Sequence, residues 1–471
     1  MAFPDGLFIA FSLLITAYFV LWNLSQVAMS PLAIRTLWRH RLRNTRRARG
    51  LVGGVAVPRF VSIVAPAYNE ELTIVESLRA LLAVDYQPRE IVIVNDGSTD
   101  GTLALMQETF QLVLAPLAFD QPLPSAPVRG VYRSVSEPDL VVIDKHNGGS
   151  KADAANAGIN AASGVLVLVI DADTMLEADA LNRAVLPFLE DPATVAVGGN
   201  VGIANGCRIE HGRVVDVALP ESWLARFQIV EYMRAFLLFR LACASQNAVI
   251  LISGAFGLFR RDAVIAVGGY DRTAIGEDID LTIRLQRHFR ARGEPCRIGF
   301  DPNPLCWTQA PEDWQSLRSQ RYRWRRGLLQ TLWRYRRMIG NPRFGTVGLF
   351  PLPYIAFFEG LGPLLEVGGY VVTIAAASFG YLNWKYFGVM TAVSVLLGVA
   401  VTLLAVLMND VTSRRYMRGR DLALLVVVAL FESLGYRQVN SLWGCIGTVQ
   451  AMTGKGGWGS MKRKAFRTGA A

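Results

Sequence analysis

Charge is scarce in this chain. Asp, Glu, Lys and Arg supply 18% of its 471 residues, against about 25% in ordinary soluble domains, which argues against a cytosolic globule. Histidine and cysteine are scarcer still, at four and five. Cys207, Cys243, Cys296, Cys306 and Cys445 contain no CxxC pair, so a disulfide scaffold is excluded and they read as reduced thiols in a cytoplasmic or membrane setting. No two histidines stand at ligand spacing, which disfavours zinc. Disorder is excluded by the opposite excess: hydrophobic residues reach 52%, and mean hydropathy is +0.30.

The apolar residues are bunched into runs. From Asp5 to Arg35 no charge intervenes, and Leu7 to Leu32, at 1.5 Å per helical residue, is long enough to cross about 30 Å of hydrocarbon. A cleavable signal peptide fits less well, because Asp5 is acidic and the apolar core is too long. Arg35, Arg39, Arg41, Arg43, Arg46, Arg47 and Arg49 follow, and such an excess marks the cytoplasmic side. The amino terminus is therefore expected outside and residue 50 onward inside. Pro351 to Leu382 and Val389 to Met408 read as a helical hairpin turning at Asn383, Trp384 and Lys385. The loop from Asp410 to Arg420 carries four arginines and should be cytoplasmic. Leu422 to Trp443 is interrupted by Glu432 and Arg437. A full crossing there would strand Lys455, Lys462, Arg463 and Lys464 outside, whereas a re-entrant or interfacial helix would not, so three or four spans stay open. The net charge of +10 sits largely beside these runs, which favours anionic lipid headgroups over nucleic acid as its partner.

Between Val61 and about Asp301 the pattern changes to short β-branched runs alternating with helical stretches, the signature of an α/β domain with a largely parallel sheet. Strands are expected at Val61–Ala65, Glu90–Asn95, Leu140–Ile143 and Val165–Ile170. Helices are expected at Leu72–Ala83, Thr102–Phe110, Ala152–Ala162 and Ala178–Leu189. The proline-rich stretch Ala115–Pro138 reads as a loop. Ligands collect at the carboxyl ends of such strands, and there the unusual polar residues fall: Pro66-Ala-Tyr-Asn-Glu70, Asn95-Asp-Gly-Ser-Thr-Asp100 and Asp171-Ala-Asp173.

Each motif has a plain structural explanation beside the chemical one. Asp171 and Asp173 suit a hard divalent cation bridging a diphosphate, or Asp173 caps a helix. Asp96 remains available to a ligand even where Ser98 or Asp100 caps the next helix. Lys151 opens a helix after His146-Asn-Gly-Gly-Ser150, so its ammonium and the helix N–H groups could face a phosphate together. The glycine spacing fits neither a Walker loop nor a dinucleotide fingerprint, which makes an ATPase or a Rossmann dehydrogenase poor readings. Glu277 and Asp278 start the stretch Ile279–His288, where Asp278 is the best candidate for a base that removes a proton from an acceptor hydroxyl, unless the pair merely caps the helix. Gln320-Arg-Tyr-Arg-Trp324 lies in a basic helical stretch from about Glu312 to Arg337, a cationic amphipathic helix on the membrane face. Within it Arg323 could hold phosphate and Trp324 could stack on a sugar ring.

In this order the motifs resemble the membrane-embedded family 2 glycosyltransferases, the group with cellulose, chitin, hyaluronan and poly-N-acetylglucosamine synthases. The likeness covers roughly Val61 to Gly327 and the flanking helices. It implies an α/β GT-A glycosyltransferase domain with flanking transmembrane and interfacial helices, a nucleoside-diphosphate sugar donor, a Mg²⁺ or Mn²⁺ ion, and inversion at the anomeric carbon. By resemblance, Tyr68, Glu70 and Asp96 match nucleoside-binding positions and Lys151 a motif lysine. Asp171 and Asp173 match the DxD, with Asp173 the usual metal ligand. Asp278 matches the base of a TED motif whose first position here is Gly276, preceding Glu277. Gln320, Arg323 and Trp324 fit QxxRW, associated with processive members, and Ser253-Gly254 resembles an acceptor-contacting segment. The organisation expected is a transmembrane helix over 1–34, a basic cytoplasmic linker over 35–60, the GT-A domain over 61–310, and interfacial helices over 311–345. Transmembrane or re-entrant helices over 346–445 and a basic tail over 446–471 complete it. The resemblance implies an inner-membrane, multi-pass enzyme with a cytoplasmic catalytic domain. UDP-N-acetylglucosamine is the favoured donor with UDP-glucose open, and a polysaccharide or glycolipid is the acceptor. Membrane lipids are expected partners, accessory exopolysaccharide proteins are compatible ones, and nucleic acid is not. The rival readings are transfer of one sugar to a lipid or glycolipid, and an inactive nucleotide-sugar-binding receptor or scaffold.

Overall fold

The computed structural model describes residues 5–48, 59–115, 119–210, 212–413 and 419–453. Arg49, the loop arginines Arg414, Arg415 and Arg418, and the tail lysines and arginine Lys455, Lys462, Arg463 and Lys464 lie outside them, whereas the first residues of the expected tail, 446–453, still belong to a helix.

Twelve strands are described: β1 (Val61–Ala67), β2 (Arg89–Asn95), β3 (Leu112–Leu114), β4 (Val128–Ser134), β5 (Leu140–Lys145), β6 (Leu166–Val169), β7 (Met175–Leu176), β8 (Thr194–Ile203), β9 (Arg208–Glu210), β10 (Arg213–Asp216), β11 (Gly257–Arg260) and β12 (Arg297–Thr308). Ten of them form one sheet in the order β3-β4-β5-β2-β1-β6-β11-β8-β12-β7, and β9 pairs with β10 separately. The centre, β5-β2-β1-β6, is parallel, with Ile63 level with Ile91 and Leu168. Its apolar, β-branched strands are covered on both faces by helices, as continuous hydrophobic runs require.

The sheet is more mixed than the sequence pattern suggests. Its β11 runs antiparallel to β6, with Gly257 opposite Val169, so the chain just before β11 reaches the edge where β6 ends. Ala115–Pro138 is not a loop throughout, because β4 lies inside it and pairs antiparallel with β5. Pro122, Pro124 and Pro127 precede that strand without interrupting its ladder, which hid its alternation.

The first helix, Asp5–Ala48, has 44 residues, roughly 66 Å at 1.5 Å per residue and twice what a bilayer core needs. The expected linker therefore begins as a continuation of this helix. Ala33 and Leu37 are buried with Met175 and Trp307 of the α/β domain, and His40 shares a 3.1 Å hydrogen bond with Asn303. Four helical segments among the described residues are long and apolar enough to cross a membrane: Leu13–Asn44, Pro351–Ser378, Trp384–Ser413 and Gly419–Thr453. The last is broken, as Leu434 and Gly435 leave helical geometry. Just before the break Glu432 accepts hydrogen bonds from both terminal nitrogens of Arg234, an ion pair that explains why an apolar run tolerates an acid.

Candidate active site

One cavity of about 1340 Å³ runs from the carboxyl edge of the parallel strands into the helical bundle. It exceeds the roughly 300–1,000 Å³ that holds one small ligand. All thirteen positions singled out by sequence line it, from Tyr68, Glu70 and Asp96 through Lys151, Asp171 and Asp173 to Ser253, Gly254, Glu277, Asp278, Gln320, Arg323 and Trp324.

The sheet explains the convergence. Asp171 and Asp173 follow β6 in a turn that leads to β7, and the next helix starts only at Ala180. Helix capping, the plain explanation for Asp173, is thereby removed. The antiparallel β11 delivers Ser253 and Gly254 beside them. Lys151, at the start of helix Lys151–Ala161, donates from Nζ to Asp171 Oδ1 at 2.5 Å and to the Gly254 carbonyl at 3.0 Å. The Gly254 N–H in turn donates to Asp278 Oδ2 at 3.2 Å. One backbone residue thus couples the Asp171 side of the cavity to Asp278. Asp278 lies in the first turn of helix Glu277–Ala291 and also accepts from the Ile279 N–H at 2.8 Å.

These acids repel one another in a confined space. Burial, then the charge of Asp171, pushes Asp173 up to about 6. Burial, then Asp278, pushes Glu277 up to about 7. Asp278 is itself raised by burial, against the pull of its backbone donors and of Lys151 and Arg240. Burial pulls Lys151 down, but Asp171, Glu277 and Asp278 outweigh it and hold the ammonium protonated.

On the strand side, Asp96 is buried and accepts from Lys145 Nζ and from the Gly148 N–H at 3.1 Å. Lys145 has no exposure at all and bridges Asp96 to Asp153 at 2.7 Å, while Arg272 meets Asp153 from the other side at 2.8 Å. Gly148 is needed here, since a Cβ would sit 2.0 Å from Asp153 Oδ2. Sequence reading missed this ion cluster, whose one local hint was a lysine closing an apolar strand. Tyr68 is half-exposed at the rim, whereas the Glu70 carboxylate turns inward to accept from Thr73 Oγ1 at 2.9 Å.

The helix Trp314–Arg334 carries Gln320, Arg323 and Trp324. Arg321 lies over the Trp324 ring at 4.7 Å and pairs with both oxygens of Glu231 at 2.5 and 2.7 Å, and Tyr436 Oη donates to the same carboxylate. This helix is docked on the Asp278 loop by Gln330, which accepts from the Ile275 N–H at 2.9 Å, and by Arg334, which meets Asp280 at 2.9 Å. At the crossing Gly327 faces Gly276, where a Cβ on Gly327 would lie 3.0 Å from the Gly276 nitrogen. Gly327→Val should therefore push Trp324 away from Asp278 and lower transfer by about 10-fold or more, the expected scale for a 1 Å displacement being up to 100-fold. Donor KM is expected to hold, and a steady-state comparison of kcat with donor KM checks this.

A mixed α/β sheet whose edge gathers two strand-end acids, a lysine and a helix-borne carboxylate defines a sugar-nucleotide transferase of the GT-A type. The sequence matches the pattern "Glycosyl transferase family 2" over residues 62–268 and "Glycosyl transferase family group 2" over residues 166–432. The chain belongs to the family 2 group of glycosyltransferases. It is similar to the poly-beta-1,6-N-acetyl-D-glucosamine synthase of Staphylococcus aureus strain COL, 31% identical over 67% of this chain and 63% of that one. The synthase of Staphylococcus epidermidis is 29% identical over 58% and 56%. The match thus spans less than two thirds of these relatives' length. Among solved structures, the mannosyltransferase PcManGT of Pyrobaculum calidifontis superposes with a TM-score of 0.51 at 18% identity, covering 88% of this chain and 99% of that one. That likeness establishes the fold. With four candidate spans, the protein is a membrane protein.

Proposed function

We propose that this protein is an inverting, processive membrane glycosyltransferase that extends a polysaccharide from a UDP-sugar, with UDP-N-acetylglucosamine as donor. The single observation that carries the reading is the continuity of the cavity, from Tyr68 and Asp96 past Asp278 and Trp324 to Trp22 and Ser441 among the apolar helices. A transferase acting on a small soluble acceptor needs no such extension. The synthase relatives support the choice of donor.

In this reading the acceptor hydroxyl gives its proton to the Asp278 carboxylate as its oxygen bonds to the donor's anomeric carbon. The bond from that carbon to the diphosphate breaks and UDP leaves, with Lys151 and Arg323 balancing its charge. Gly254 and Ile279 hold the carboxylate through their N–H groups. Asp171 and Asp173 fit a hard divalent cation, being oxygen donors of which Asp173 is lifted first by burial and then by the charge of Asp171. No group of three or more ligating side chains occurs among the described residues, so diphosphate and water would complete the shell. Bound there, Mg²⁺ or Mn²⁺ would neutralise charge on the departing diphosphate; the mannosyltransferase neighbour was solved with Mn²⁺. In this reading the catalytic domain lies in the cytoplasm of a multi-pass inner-membrane protein, with accessory exopolysaccharide proteins as compatible partners.

Purified protein incubated with each UDP-sugar separately, in Mn²⁺, tests the proposal: a ladder of long products from UDP-N-acetylglucosamine supports it, and a single-sugar product overturns processivity. A pH profile offers a second check. Asp278 must be ionised to accept a proton, and burial raises it above the ordinary aspartate range. Turnover should fall on acidification as Asp278 protonates, approaching about tenfold per pH unit. A profile flat from about pH 7 down to about pH 4 would remove Asp278 from the proton transfer.

A further inference from the structure

Among the described residues, two charged side chains on the cavity wall have no ion-pair or hydrogen-bond partner. Arg240 ends the π-helical turn Ala235–Arg240, and Glu359 lies in the π-helical turn Ile355–Leu361 at the start of a candidate membrane span. Both line the cavity, and each lies within electrostatic reach of the other. Yet no ion pair joins them among the described residues, so they stand more than 4.0 Å apart, the limit for such a pair. Arg240 Nη1 is buried without a hydrogen bond. The guanidinium's face is already taken, stacked 3.9 Å from the Phe236 ring centroid, so its edge is what remains to bind. Burial pulls Arg240 down to about 10, which still leaves it charged at neutral pH.

Glu359 presents its side chain to the cavity and Arg240 is half-buried with one guanidinium nitrogen unsatisfied, so the two are held apart with hydrogen-bonding capacity unspent, an arrangement with no benefit to stability. Here it is actively maintained. Each charge sits on a π turn, a rare element that concentrates at functional sites. The turn bearing Glu359 is pinned by Arg325, which donates to the Glu359 carbonyl and, at 2.6 Å, to the Gly360 carbonyl. Between the charges and Trp324 runs an aromatic wall. Tyr232 lies 6.5 Å from Trp324 and Phe236 lies 5.7 Å from Tyr232. Apolar rings flanked by one donor and one acceptor match the two kinds of surface of a pyranose, its C–H faces and its polar rim.

We infer that Arg240 and Glu359 form an acceptor subsite on the membrane side of Asp278, with Arg240 donating to a hydroxyl or carbonyl oxygen and Glu359 accepting from a hydroxyl or amide N–H of the penultimate sugar. The inference rests on the glycosyltransferase reading and adds which residues grip the acceptor. The Asp278 carboxylate lies within electrostatic reach of Arg240, so a sugar held there presents the next unit to the base.

The test uses the full chain in lipid nanodiscs with a β-1,6-linked N-acetylglucosamine pentasaccharide as probe. Arg240→Lys, Arg240→Met and Glu359→Gln are compared with wild type for acceptor KM, donor KM and direct oligosaccharide binding by tryptophan fluorescence. Arg240→Met and Glu359→Gln should raise acceptor KM by about 10-fold or more, the loss expected when a charged group loses its hydrogen bond to a ligand. The rise should not extend to donor KM, and Arg240→Lys should recover part of it. An acceptor KM within twofold of wild type in Arg240→Lys and Glu359→Gln, or an equal rise in donor KM, overturns the subsite. Should wild type bind the pentasaccharide but transfer nothing from any UDP-sugar, the fault lies with the proposed reaction, and weaker binding by the variants still supports the subsite. Binding unaffected by all three substitutions overturns it.

Discussion

Asp278→Asn is expected to cut sugar transfer by about 1,000-fold while leaving UDP binding close to that of wild type. Asparagine keeps the shape but has a single acceptor oxygen, so it can keep one of the two N–H groups, from Gly254 and Ile279, that donate to different oxygens of Asp278, and the loop should largely hold its place. What it loses is the ability to take a proton, and general-base catalysis is worth about 100- to 10,000-fold. Burial already lifts the Asp278 pKa, which makes it a stronger base than an exposed aspartate and places the expected loss above the lower bound. Glu277→Gln should cost less, because Glu277, at about 7, is partly protonated at neutral pH and its charge mainly tunes its neighbour. UDP release measured by a coupled assay, with UDP affinity measured separately, distinguishes the two variants. Full release by Asp278→Asn would remove it from the base role. A parallel loss of UDP affinity would instead make it a structural support of the Lys151 and Gly254 network.

Much of the site was legible in the sequence because parallel strands impose a rule: polar residues just past apolar runs share one edge. Asp96, Asp171 and Asp173 are such residues, and no knowledge of contacts was needed to group them. Asp278 and Trp324 are different, as they come from helices and were linked to the edge only by the resemblance to a family. Their juxtaposition depends on Gly327 lying against Gly276, a packing contact across 51 positions that no local pattern encodes. The same limit hid Arg240 and Glu359. Each reads locally as an odd charge in an apolar stretch, and only the cavity shows that both line one space. The break at Leu434 and Gly435 was left open by sequence, where Glu432 made the segment ambiguous, and the partner that satisfies Glu432 there, Arg234, lies 198 positions away. Periodicity reports what a segment buries, and these features depend on what it meets.

Lys145→Met should be the most damaging substitution to the fold of the α/β domain, with loss of UDP affinity as a consequence. Lys145 is fully buried and its ammonium serves Asp96, Asp153 and the His146 carbonyl. Removing one member of a buried ionic cluster typically costs about 3–5 kcal/mol, because the remaining charges stay in low dielectric without their partner. The two acids would not suffer equally. Asp153 keeps Arg272 and the Ala126 N–H, at 2.8 and 3.0 Å, whereas Asp96 keeps the Gly148 N–H alone. The strain should therefore concentrate on Asp96 and on the 147–149 loop, whose Asn147 side chain donates to the Asp96 carbonyl at 2.8 Å. That loop leads directly into Lys151, so a disturbance at Lys145 reaches the Lys151 side of the cavity through the backbone. The midpoint of thermal unfolding is expected to fall by roughly 10 °C. Asp153→Asn should shift it less, since an amide keeps one acceptor and leaves Asp96 and Lys145 paired. If Lys145→Met instead unfolds within about 1 °C of wild type, the cluster is dispensable to folding, and Asp96 would have to be held by the ligand rather than for it.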